Sequence, residues 1–88
     1  MYLYLHMNQI SIETNENYTN FVNNLQKQPR QQWEQFISSF LIKYGVNIRA
    51  FNILLIVVTK TQVLVYTYYY NIMITLQSGK NGNVVIIL

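Results

Sequence analysis

Between Trp33 and Tyr44 the apolar residues fall at i, i+3, i+4, i+7, i+8 and i+11: Trp33, Phe36, Ile37, Phe40, Leu41 and Tyr44. At about 3.6 residues per turn these side chains form one continuous stripe on a helix. A stripe of that width has to be buried, so the segment predicts an amphipathic α-helix packed against a second layer. Arg30, Gln31, Glu34, Gln35, Ser38 and Lys43 lie on or beside the opposite face. Pro29 suits the first turn of this helix, and Gly45 suits the left-handed position just past its end.

Upstream, Tyr18, Phe21, Val22 and Leu25 repeat the helical spacing and predict a shorter helix over about residues 17–27, ended by Gln28-Pro29. Residues 2–12 alternate instead, with Leu3, Leu5 and Met7 opposite Tyr2, Tyr4 and His6, which predicts a strand. The polar run 13–17 reads as a loop or a helix start. After Gly45 the chain becomes β-branched. The uninterrupted run 53–58 (ILLIVV) fits a strand buried on both faces or part of a membrane helix. Residues 63–77 alternate as one long strand, with Leu64, Tyr66, Tyr68, Tyr70, Ile72, Ile74 and Leu76 on one face. Asn81-Gly82 marks a hairpin turn, and 84–88 (VVIIL) return as a strand. The pattern predicts a single α+β domain over 1–88, of order β-α-α-β-β-β, with an antiparallel sheet and the two amphipathic helices on one side.

Composition narrows the function classes. The 88 residues include no Cys and no Asp, one His and three Glu, which excludes thiol chemistry and cysteine zinc sites. His6 has no carboxylate or second His near it in sequence. Three glycines cannot build a phosphate-cradling loop of Walker or Rossmann type. No catalytic residue, metal site, cofactor or small-molecule substrate is therefore expected. Charged residues make up 10% of the chain against a usual share of about 25%. A surface so poor in charge is expected to be covered by other molecules, to use Asn and Gln in the solvent role, or both. The net charge of +3 favours nucleic acid or anionic lipid as partner. The abundance of Asn, Gln, Ile and Tyr fits an AT-rich genome. Residues 1–7 lack the features of a secretory signal or a transit peptide, so an organellar protein of this kind is expected to be organelle-encoded. Five consecutive aliphatic residues, Val84, Val85, Ile86, Ile87 and Leu88, are expected to pair with another chain.

The segment 63–85, VLVYTYYYNIMITLQSGKNGNVV, resembles the first hairpin of the universal small-subunit ribosomal protein eleven family. In that family an alternating strand carries an aromatic residue just before an Asn pair. A strand of the type T-I-V-T-I-T-D follows, and then a turn ending in Gly-Asn-Val. Here Tyr69 falls at the aromatic position and Asn71 at the second Asn. Ile72–Gln77 follows as the strand, and Gly82-Asn83-Val84 matches the turn exit, with one extra residue in the turn. The resemblance implies a divergent N-terminal portion of such a protein, preceded by an αβ extension over 1–60, with the family's basic C-terminal region missing or encoded separately. It further implies a structural role in a ribonucleoprotein, a mitochondrial or other organellar small ribosomal subunit, with ribosomal RNA and other ribosomal protein chains as partners. Arg49, Lys60 and Lys80 would neutralise phosphates, and Asn71, Asn81 and Asn83 would bond to sugar or phosphate. Two other classes compete. One is an accessory subunit of an organellar membrane complex, with a helix through about 51–70. The other is a viral structural protein that self-associates through its strand edges.

Overall fold

Asn17 ends one element and begins the next. Its backbone is extended, and its side-chain Oδ1 accepts the Asn20 N–H at 3.0 Å, which caps the first helix. The computed structural model describes residues 9–68 and 72–88. The elements are β1 (Ser11–Asn17), α1 (Tyr18–Lys27), α2 (Trp33–Lys43), β2 (Ile53–Val58), β3 (Gln62–Thr67), β4 (Met73–Ser78) and β5 (Asn83–Ile87), with short 3-10 turns at Arg30–Gln32 and Ala50–Asn52. The chain is an α+β protein with two helices and one antiparallel sheet of spatial order β1-β5-β4-β3-β2. Strands β2 to β5 form a meander. The helical pair carries the chain from the β1 edge of the sheet to the β2 edge.

Both helices lie where their periodicity puts them. Tyr18, Phe21 and Leu25 of α1 and Ile37, Phe40 and Leu41 of α2 are buried. They form one core with Ile56, Val63, Val65, Ile74, Leu76, Val84 and Ile86 of the sheet. Phe21 holds the helices together, its ring centroid 4.5 Å from that of Phe40 and 5.7 Å from that of Phe36. Trp33 donates its indole N–H to the Gln28 carbonyl at 3.1 Å and so fixes the corner between the helices. Gly45 has φ +91°, the left-handed geometry expected past the end of α2. The buried Ser38 hydroxyl donates to the carbonyl of Ile48 and ties the following loop to α2. We expect Ser38→Ala to cost about 1–3 kcal/mol, because it leaves a buried carbonyl without a partner, and urea unfolding would read the loss.

Four local expectations are corrected. Strand β1 runs through 11–17, so the polar segment at 13–17 is strand and not loop. Its inward residue Thr14 is buried without penalty because its hydroxyl donates to the Val84 carbonyl at 2.8 Å and accepts the Glu16 N–H at 3.1 Å. The early part of the expected strand, with Leu3, Leu5, His6 and Met7, lies outside the described residues.

Second, the single strand at 63–77 is two strands. The Thr67 N–H and hydroxyl both donate to the Ile72 carbonyl, at 3.0 and 2.8 Å, and close a hairpin there. In this hairpin Val65 stands opposite Ile74, so odd positions of β3 share a face with even positions of β4. Val63, Val65 and Thr67 are buried, while Tyr66 and Tyr68 point away from the helices.

Third, β2 is an edge strand and is not buried on both faces. Fourth, the segment 51–70, a helix only on the competing membrane-subunit reading, contains two strands. No helix among the described residues is long and apolar enough to cross a membrane.

Candidate interaction surface

Among the described residues the helices cover one face of the sheet. The register defines what stands on the other. One cross-strand row is Ser11, Ile87, Thr75, Leu64 and Val57; a second is Glu13, Val85, Gln77 and Gln62; a third is Met73, Tyr66 and Leu55. The second row is polar, and its Gln62 amide donates to the Gln77 side-chain oxygen at 3.2 Å. The first and third rows are largely apolar. Leu54 is 54% exposed, Leu55 47%, Met73 44% and Tyr66 36%. A register shift between Ile53 and Leu55 is the reason two consecutive leucines are exposed on β2. Together with Tyr68 these side chains expose roughly 500 Å², within the range of the largest patch on a typical monomer.

The two edges of the sheet differ. On β1, Glu13 and Glu16 alternate with Asn15 and Asn17, and the pairing to β5 is irregular between Glu13 and Asn17. Charge and irregular register are the usual protection of a strand edge. Strand β2 (ILLIVV) carries no charged or polar side chain. Phe51, in the turn leading into β2, is exposed as well.

The residues expected to contact RNA divide between the two ends of the sheet. Lys60 lies in the β2–β3 turn, and Lys80 and Asn81 lie in the β4–β5 turn, at the same end. The start of α1 is there too, because the Tyr18 N–H donates to the Gly82 carbonyl at 2.9 Å and the Tyr18 hydroxyl to the Thr59 carbonyl at 3.4 Å. Asn81 spends its side-chain oxygen on the Asn83 N–H at 3.1 Å, which serves the turn; Gly82, with φ +83°, completes it. Asn83 begins β5. Arg49 lies at the other end, in the loop before β2, and is not brought together with the lysines. Asn71, like Tyr69 and Tyr70, lies outside the described residues.

The residues expected to form a protein interface divide by face. Strand β5 pairs with β1 on one side and β4 on the other, so the sticky C-terminal edge finds both partners within the chain. Val84 and Ile86 are fully buried in the core. Val85 and Ile87 point to the uncovered face, and Leu88 packs partly against the core while its N–H donates to the Ile10 carbonyl at 2.9 Å. Sequence reading missed the exposed set, Leu54, Leu55, Tyr66 and Met73. The signal was present in β2, whose lack of charge fits an unprotected edge as well as a buried centre.

Among the described residues no three His, Cys, Asp or Glu side chains come together. Glu34 is paired with Arg30 at 3.1 Å, and that guanidinium lies 4.7 Å from the Trp33 ring centroid. An open groove of about 370 Å³ between α1 and the β2–β3 turn contains Lys60 and Tyr18. Burial raises the Tyr18 pKa above its ordinary value near 10. The neutral phenol is thus favoured by the fold. Its contribution to stability is complete below pH 10 and is lost as pH rises through the raised value. We expect Tyr18→Phe to lose less stability than wild type between neutral and strongly alkaline pH, read by unfolding midpoints. Parallel losses would show that the hydroxyl is not shielded. Comparison of the chain with protein-family models, with curated proteins and with solved structures gave no significant match.

Proposed function

We propose that this chain is a non-catalytic structural subunit of a larger assembly. The observation that carries this is the apolar sheet face that the described helices leave uncovered, beside an edge strand without charge, a surface that calls for a covering partner in water. The assembly favoured by the sequence is a ribonucleoprotein, namely an organellar small ribosomal subunit. Its support is the resemblance of 63–85 to a ribosomal hairpin and the net charge of +3. Lys60 and Lys80 lie in neighbouring turns at one end of the sheet, where they would neutralise phosphate. On this reading the apolar face meets protein and the lysine end meets RNA.

Gradient fractionation of a native extract, with and without ribonuclease, tests it. Co-migration with small ribosomal subunits that collapses on ribonuclease treatment supports both parts. Migration in a heavy complex that ignores ribonuclease retains the structural subunit and removes the RNA. Migration as a free small protein removes both.

A further inference from the structure

We infer that β2 pairs with β2 of a second copy of this chain, in antiparallel register about a two-fold axis at Val57. The inference rests on the reading of the chain as an assembly subunit, and it does not require RNA. In an antiparallel ladder the hydrogen-bonded pairs alternate. The Thr59 N–H is bonded to the Gln62 carbonyl at 2.8 Å, so the next bonded pairs inward are Val57 with Leu64 and Leu55 with Tyr66. The backbone groups of Ile56 and Val58 therefore point outward from the sheet. Two β2 strands related by the two-fold axis set Ile56 of each against Val58 of the other and close four hydrogen bonds, clear of the bulge at 53–55.

Three features favour a second copy over another protein. The strand is self-complementary, because it has no charge to repel its own image and none to attract an acidic or basic partner. The charge nearest to it also becomes harmless. In this register Lys60 falls beside Leu54 of the other copy, and the two lysines stand roughly 20 Å apart, twice the Debye length at physiological salt. Apolar side chains flank the edge on both sides as well. Leu54 and Leu55 are exposed on the open face, and on the helix side Phe51 and Ile42 line one groove together with Asn47 and Arg49. Edge pairing covers side chains flanking β2 on both faces, while Tyr66 and Met73 stay exposed on the open face. The rows Met73, Tyr66 and Leu55 of the two copies then join into one apolar surface across a ten-stranded sheet.

The chain has no cysteine, which makes the register directly testable. At the two-fold axis Val57 meets its own image in a non-hydrogen-bonded pair, whose Cα separation of about 4.5 Å lies within disulfide range. We expect purified, RNA-free protein to run at twice the 10.5 kDa chain mass in light scattering. Under mild oxidation Val57→Cys should cross-link nearly completely, whereas Leu64→Cys, one strand inward on the same face, should not. Val57→Lys, with its fold verified by circular dichroism, should weaken the dimer about tenfold or more. A monomer at high micromolar concentration overturns the inference, as does equal cross-linking of the two cysteine variants. A dimer that forms here but never migrates with ribosomal subunits supports the inference and removes the ribonucleoprotein reading alone.

Discussion

Ile86→Lys should abolish folding. Ile86 is fully buried on an interior strand, opposite Leu76 on β4 and Ile12 on β1. The residues directly opposite it on both neighbouring strands are apolar, so a lysine there is a buried charge without a cross-strand partner. Uncompensated charges of this kind cost about 3–5 kcal/mol or force the amine to give up its proton. The lost packing of a buried isoleucine adds about 2–5 kcal/mol. A domain of this size has a total stability at the low end of about 5–15 kcal/mol. The variant should therefore show no cooperative thermal transition and lose its dispersed amide spectrum. A cooperative transition within a few degrees of wild type would mean that β5 is not an interior strand. The same substitution on an unpaired C-terminal edge would leave the fold intact and only release a partner, so this one variant separates the two arrangements.

Phe21→Ala should destabilise the protein by about 3–5 kcal/mol, the range for a buried phenylalanine. Its ring is buried and lies against the rings of Phe36 and Phe40, so truncation opens a cavity where α1 meets α2. Those neighbours are held on a regular helix and cannot collapse into the space without bending it. Phe51 provides the control. It is 76% exposed, and Phe51→Ala should stay within about 0.5 kcal/mol of wild type in the monomer. Equal losses at the two positions in guanidinium unfolding would show that the core does not centre on α1.

How far the fold could be read from the sequence follows from where burial is apolar. Helix α2 was legible because six apolar residues keep helical phase between Pro29 and Gly45. Helix α1 was legible for the same reason and is short by one residue, since Asn17 is its cap. Strand β1 was hidden because its inward positions after Ile12 are Thr14 and Glu16, and hydroxyl bonding of Thr14 to Val84 is invisible to a hydrophobic pattern. The break between β3 and β4 was hidden because the turn is closed by Thr67 and Ile72 and contains neither Gly nor Pro. Alternation continued through it, with every side chain beyond the turn assigned to the wrong face.

The uncovered sheet face was harder still to read. Leu55, Tyr66 and Met73 are neighbours only through the register of three strands, which period-2 patterns do not specify. For β5 the pattern gave the strand but not its place. An aliphatic terminal strand suits an interior position as well as an edge, and topology decides between them.

The pairing of β1 with β5 also sets a schedule. Thr14 and Val84 are 70 residues apart, so β1 has no ladder partner until those later residues have been made. At about 5–20 residues per second that wait is roughly 4–14 s on the synthesising ribosome. An aliphatic strand held open for so long would find neighbours on other nascent chains. Strand β1, SIETNEN, can wait in water without that hazard. The polar sequence that conceals it from a hydrophobic reading is what lets β1 wait for a partner made 70 residues later.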